Sequence, residues 1–264
     1  MEERAKHSAR PQKTAGEGII AGRNAVGEAF RAQREIDSIY IQRGERKGSV
    51  AKLVAIARDR GIPVKEADSR KLEELAGGEN HQGIVAVAAA ASYATVEEIL
   101  QRAEGEPPFL VLADRVEDPH NLGAIIRTAE AAGAHGLIIP KRHSAGLTAA
   151  VARTSAGAVE HLPVARVPNL AAAIGELKKK NNWVYCVDMG GPHWCSCDLT
   201  GGVALVVGSE GFGVSRVVRE ACDGVLSLPM LGKVTSLNAS VAAGIVLYEI
   251  ARQRQGIAAY DSHK

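Results

Sequence analysis

Leu205-Val-Val-Gly-Ser-Glu-Gly-Phe-Gly213 runs from an unbroken apolar stretch straight into a glycine-rich turn. An apolar run without polar alternation reads as a strand buried on both faces, which is the habit of parallel sheets. Similar runs occur at 109–113, 137–139 and 183–187. Helical stretches such as 170–180 lie between them, and an amphipathic helix at 238–253 closes the chain. Strands alternating with helices predict an α/β domain built on a parallel sheet. The glycines that follow the strand let a ligand approach the backbone closely. The turn is not a dinucleotide fingerprint, since Glu210 would repel a pyrophosphate and no P-loop lysine is present. A cationic or neutral ligand fits it better. A plain tight turn, with Glu210 capping the next helix, would give the same local sequence.

Upstream, the pattern changes scale. A helix is expected at 24–33, with Ala25, Val26, Ala29 and Phe30 on one face. A strand at 38–42, a helix at 50–60 closed by Gly61 and Pro63, a strand at 62–66 and a helix capped by Ser69 follow. His81-Gln-Gly83 then leads into a strand at 84–90. Residues 16–92 thus read as a small α/β domain. In 93–108, Thr95 and Glu98 form a capping-box pattern before Gly105-Glu-Pro-Pro108, and the segment is expected to be a linker. Residues 109–264 make the larger domain. Residues 1–15 read as a disordered polar tail.

Composition narrows the function. Aromatic residues are 4% of the chain, which argues against nucleic-acid binding by rows of stacking rings, and a net charge of +2 announces no partner. No apolar run approaches the roughly 20 residues of a membrane helix, and the N-terminus lacks the core of a secretory signal. Four unevenly placed cysteines suit a reducing cytoplasm. His193-Trp-Cys-Ser-Cys197 has CxC spacing rather than paired CxxC knuckles, so no metal site is expected.

Two further segments complete the set. In 114–133, DRVEDPHNLGAIIRTAEAAG, a strand ends at Asp114 and a helix opens near Asn121 and Gly123. Asn121 and Arg127 can then face the crevice at the strand's carboxyl end. In 228–244, LPMLGKVTSLNASVAAG, a loop rich in glycine and hydroxyls enters a small-residue helix with Ser236 and Asn238 at its start. Each segment alone is equally what simple helix capping would produce.

Together, in this order and spacing, the three segments resemble the motifs of the SpoU/TrmH family in the SPOUT superfamily of RNA methyltransferases. The first matches at Asn121, Gly123, Arg127 and Gly133. The second matches at Gly208, Glu210 and Gly213, and the third at Pro229, Met230, Gly232, Ser236, Leu237, Asn238 and Ser240. Ala239 stands where valine is more usual. Ile20-Ala-Gly-Arg-Asn-Ala-Val26 and His81-Gln-Gly83 resemble the family's ribosomal-protein-like substrate-binding domain, whose candidate RNA contacts are Arg23, Asn24 and His81. The resemblance implies a parallel-sheet domain closed by a trefoil knot, a homodimer, and S-adenosylmethionine held near Gly208, Leu228, Met230 and Leu237. It also implies methyl transfer to a ribose 2′-OH, with a guanosine of 23S ribosomal RNA as the expected target. Transfer RNA, or RNA binding without catalysis, are the alternatives. Asn121, Arg127, Glu210, Ser236 and Asn238 are the implied catalytic residues. Arg127 is the family's proposed base, but a guanidinium with a pKa above about 12 stays protonated. Orienting a phosphate and stabilising an oxyanion suit it better.

Overall fold

A computed structural model describes residues 18–45, 48–103 and 105–258. The tail expected at 1–15 lies outside them. The chain divides into two compact units, 1–89 and 90–264.

The first unit runs β1 (Ile19–Ala21), α1 (Arg23–Arg31), β2 (Ile36–Gln42), α2 (Gly48–Asp59), β3 (Val64–Ala67), α3 (Ser69–Ala76) and β4 (Ile84–Ala88). Its sheet has the order β1-β4-β2-β3, with β4 antiparallel to both neighbours and β2 parallel to β3. Val26, Ala29 and Phe30 of α1 and Val50, Leu53, Val54 and Ala57 of α2 pack on Ile39, Ile41, Ile84 and Ala86. The α3 cap is Asp68 rather than Ser69: its carboxylate accepts from Lys71 N at 2.8 Å, while the Ser69 hydroxyl turns to Glu73. A carboxylate one residue earlier reaches the third helical amide and wins the position.

The second unit continues with α4 (Val96–Gln101), β5 (Phe109–Ala113), α5 (Pro119–Ala131), β6 (Gly136–Pro140), α6 (Ala149–Thr154), β7 (Val164–Val167), α7 (Leu170–Lys179), β8 (Trp183–Val187), β9 (Val203–Val207), α8 (Arg216–Ala221), β10 (Gly224–Leu226) and α9 (Ala239–Arg254). The sheet order is β10-β8-β9-β5-β6-β7, parallel throughout. Both faces are covered, as the unbroken apolar runs require. Phe109, Val111 and Ala113 of β5 point to α5 and α9, while Leu110 and Leu112 join α4, α7 and α8. The order reverses at β5, so β5 and β9 lie side by side with their carboxyl ends together. That is the crevice where open α/β sheets bind ligands.

The segment expected to be a linker, 93–108, packs into this unit. Thr95 and Glu98 form the capping box of α4. Ile99 is fully buried against Gly136, where any side chain would collide with it at 2.5 Å. An apolar residue on a capped helix has a face to bury, and the sheet takes it. After β10 the chain runs on beside the loop that follows β8, in the same direction. Trp194 N donates to Ser227 O at 3.1 Å, Ser227 N to Pro192 O at 2.8 Å, and Gly191 N to Ser227 Oγ at 2.8 Å. This pairing of the two loops is consistent with the threaded chain that the resemblance implies. Among the described residues no helix is long and apolar enough to cross a membrane.

The far end of α9 is tied to the opposite edge of the same strands. Arg254 donates to the carbonyls of Pro107, Pro108 and Gly201, and its guanidinium lies 5.1 Å from the Phe109 ring centre. Beside it, His135 Nδ1 accepts from Phe109 N at 2.9 Å, which only an imidazole unprotonated at Nδ1 can do. Burial, reinforced by Arg254, holds the His135 pKa below its ordinary 6.5. The unfolded chain therefore binds this proton first. Stability from His135 is complete above about pH 6.5 and is lost as pH falls below it. Thermal melts between about pH 7 and pH 5 should show a loss in the wild type that is shallower in His135→Asn; parallel curves would remove His135 as the cause.

Candidate functional site

Three loops meet at the carboxyl ends of β5 and β9. The first leaves β5 at Asp114, which is buried and accepts from Ser215 N at 2.7 Å, tying it to the loop after β9. Asp118 then caps α5 through His120 N, and Asn121 is buried one turn in. Gly123 is the close-contact position on that helix: a side chain there would lie 2.6 Å from Thr154.

The second loop folds back on itself. Ser209 N donates to Gly213 O at 3.1 Å and Gly213 N to Ser209 O at 3.0 Å. This closes a five-residue loop with Glu210, Gly211 and Phe212 at its tip. A side chain on Gly208 would stand 2.1 Å from the Gly213 backbone, so only glycine permits the closure. Glu210 does not cap the next helix; Ser215 holds that position.

The third loop enters α9 at Asn238. Asn238 Oδ1 accepts from Ser240 N at 2.9 Å and from Val241 N at 3.3 Å, which caps the helix. Its Nδ2 donates to Asn121 Oδ1 at 2.9 Å and to Glu210 Oε1. One amide therefore joins all three loops.

Two clefts open on either side of this junction. One, of about 340 Å³, is lined by Val187–Met189, Gly208–Gly213, Leu228, Met230, Thr235–Leu237, Ala239 and Ala242. Its Asp188 carboxylate is paired with Arg219 on α8. The other, of about 450 Å³, is lined by Arg115–Asp118 and Asn121. Ser209, Glu210, Phe212 and Ala239 face both.

Of the residues expected from sequence, Asn121, Glu210 and Asn238 come together directly. Gly208, Leu228, Met230, Ser236 and Leu237 line the first cleft. Arg127 lies apart: it is exposed on α5, lines neither cleft, and has no ion pair among the described residues. In the first unit, Arg23 is held by its own fold. It donates to Gln82 O at 2.9 Å and pairs with Glu45 at 3.3 Å. His81 Nδ1 accepts from Gly83 N at 3.0 Å, and Asn24 is exposed at the start of α1. Sequence reasoning did not single out Asp188, Ser209 or Phe212. A carboxylate at the end of the 183–187 apolar run was the readable signal for Asp188.

The SpoU rRNA Methylase family profile matches residues 108–248, and a profile for RNA 2′-O ribose methyltransferase substrate binding matches residues 19–94. YacO of Bacillus subtilis (strain 168), described as a TrmH family tRNA/rRNA methyltransferase, is 44% identical over 90% of this chain and 96% of its own. The crystal structure of the SpoU methyltransferase AviRb from Streptomyces viridochromogenes, in complex with AdoMet, aligns at 28% identity and a TM-score of 0.57 over 90% of each chain. A structure described by 2-OH methylation of C/U34 on tRNA aligns at 27% identity and a TM-score of 0.52, over 58% of this chain and 99% of its own. The motif spacing, the three-loop junction and matches spanning both units lead to one conclusion: the chain belongs to the SpoU rRNA methylase family of RNA 2′-O-ribose methyltransferases.

Proposed function

We propose that the protein transfers the methyl group of S-adenosylmethionine to the ribose 2′-OH of a guanosine in 23S ribosomal RNA, in the cytoplasm and as a homodimer. The observation that carries this reading is the Asn238 amide bridging Asn121 and Glu210 on the wall between two clefts.

The first cleft suits the cofactor. Leu228, Met230 and Leu237 offer apolar contact, Thr235 and Ser236 offer hydroxyls, and the Glu210 carboxylate offers a counter-charge to a cation. When bound, S-adenosylmethionine supplies a methyl group activated by its positive sulfur, with a neutral thioether left behind. No metal is needed for that. The chain's task is mainly positioning. Asn121 and Glu210, locked together through Asn238, hold the ribose hydroxyls at the shared wall. Ser236 orients the loop over the cleft.

Arg127, always cationic but lining neither cleft of its own chain, would serve a cleft of the second copy in the proposed homodimer, where it orients the adjacent phosphate and stabilises the developing oxyanion. It stands on α5, which packs on α9 where Thr128 meets Gly244. There α9 presents Val241, Ile245 and Tyr248, which are 51%, 38% and 54% exposed at one-turn spacing. A second copy of the chain would cover this stripe. In the first unit, Arg23, Asn24 and His81 border the proposed RNA contact, with Arg23 serving to hold Gln82 in place.

The second reading is a transfer RNA target. The tRNA-related structure corresponds to 58% of this chain, so the further unit with its substrate-binding profile favours the larger RNA. Labelled S-adenosylmethionine should be incubated with unmodified 23S ribosomal RNA and, separately, with bulk transfer RNA. Label on one ribosomal guanosine supports the proposal, and label confined to transfer RNA replaces its substrate.

Substitutions at three positions probe the parts. Asn238→Ala should lose about 1 kcal/mol of stability with its cap. Asn238→Asp keeps the cap but sets a carboxylate against Glu210, so it should melt near the wild type while losing methyl transfer; full activity in it would dismiss the bridge. Arg127→Ala should cut kcat/KM about 100-fold at unchanged cofactor affinity. In Arg127→Lys, a residual rate rising with pH would identify proton removal as limiting. Tyr248→Glu should convert dimer to monomer in analytical sedimentation, and an unchanged dimer would place the interface elsewhere.

A further inference from the structure

The second cleft has its own chemistry. We infer that it seats the target nucleobase and selects guanine, with Phe212 stacking on the ring and Glu117 accepting from the guanine N1–H and N2–H. This deepens the function proposed above and rests on it.

Position is the first support. The cleft shares Ser209, Glu210, Phe212 and Ala239 with the first cleft. A base filling it carries its ribose to that shared wall, beside Asn121. Its volume of about 450 Å³ accommodates a nucleoside.

Phe212 is the second support. It is 90% exposed at the tip of a loop whose ends are hydrogen-bonded together, so the ring is held out on a short stiff stem. It is the aromatic side chain among those lining the cleft. An unpaired base splayed from RNA stacks on such a ring.

Selectivity comes from an acceptor pair with both oxygens open to a ligand. Asp118 commits Oδ1 to His120 N and Glu210 commits Oε1 to Asn238, which leaves each of them one carboxylate oxygen, and Asn121 Oδ1 is taken by Asn238. Glu117 remains, exposed on the wall, with only an exposed contact to His143 at 3.4 Å that a ligand readily displaces. A carboxylate is an acceptor pair. Guanine presents two adjacent donors, N1–H and the N2 amino group. Adenine presents an unprotonated N1 to the same place, and a carboxylate repels it. Arg115 completes the wall. It is a non-glycine residue in the left-handed region, at φ 58°, and has no ion pair among the described residues. Strained backbone of this kind gathers at ligand sites, and its guanidinium is available to a phosphate.

The test uses the full chain with unmodified 23S ribosomal RNA, and with the same RNA carrying inosine at the methylated position, which lacks only the N2 amino group. Phe212→Leu should lower kcat/KM for RNA about tenfold, and Phe212→Trp should restore it. Glu117→Gln should lower transfer to guanosine about tenfold and abolish the preference for guanosine over inosine. Titration with S-adenosylmethionine should be unchanged in Glu117→Gln, which shows that the fold and first cleft are intact. Wild-type rates on guanosine in both Glu117→Gln and Phe212→Leu would overturn the inference while the proposed function stands. Methylation of a nucleotide other than guanosine would overturn the inference and replace the guanosine target of the proposed function, while ribose methyl transfer itself would stand. No methylation of ribosomal or transfer RNA by a chain that binds the cofactor would remove the proposed function, and this inference with it.

Discussion

The site depends on a single side-chain amide. Asn238 uses its oxygen to cap α9 and its nitrogen to hold Asn121 and Glu210. These residues come from loops far apart in the chain, and nothing else described draws all three together. Aspartate or serine would cap the helix as well, but neither carries an acceptor and two donors on the same planar group. The residue type therefore follows from the double duty. The cap fixes where α9 begins, and the bridge fixes where the other two loops end.

The rest of the unit keeps those loops in register. Asp114 binds the loop after β9 through Ser215. Gly208 allows that loop to close on itself, and Arg219 holds Asp188 at the end of β8. At the other end, Glu249 pairs with Arg252 and Gln253, and Gln253 reaches Cys197 O and Leu199 N. Burial holds the Arg254 pKa below its ordinary value without removing its charge, and its carbonyl partners offset that cost. So α9 is pinned at both ends, and the cleft sits at the one it caps.

Much of this is legible in the sequence. Unbroken apolar runs at 109–113 and 203–207 mean burial on two faces, and β5 and β9 are central strands. Shorter elements were not legible. Arg166 interrupts the apolar pattern of β7, and β10 spans only Gly224–Leu226. Residues 93–108 read as a linker because Gly105 and the Pro107-Pro108 pair dominate the composition. Ile99 decides otherwise, through one buried contact that composition does not weigh. At the site, Asn121, Glu210 and Asn238 were readable through the joint order and spacing of three segments, since each segment alone is what helix capping would produce. Phe212 was not, because an aromatic in a glycine turn carries no periodic signal. Arg127 was readable by resemblance, yet in this chain it stands away from both clefts.

A wall with a cleft on each side makes the two occupants partners in one equilibrium. Ser209, Glu210, Phe212 and Ala239 line both clefts, so any shift they make against one ligand changes the surface met by the other. If the first ligand strengthens the second, the second strengthens the first by the same factor. In the proposed reaction, discharge of the methyl group would remove a positive charge from one side of Glu210 and add a methyl group on the other. Under such coupling, release of product on either side would loosen the grip on both, and the partition itself would favour turnover.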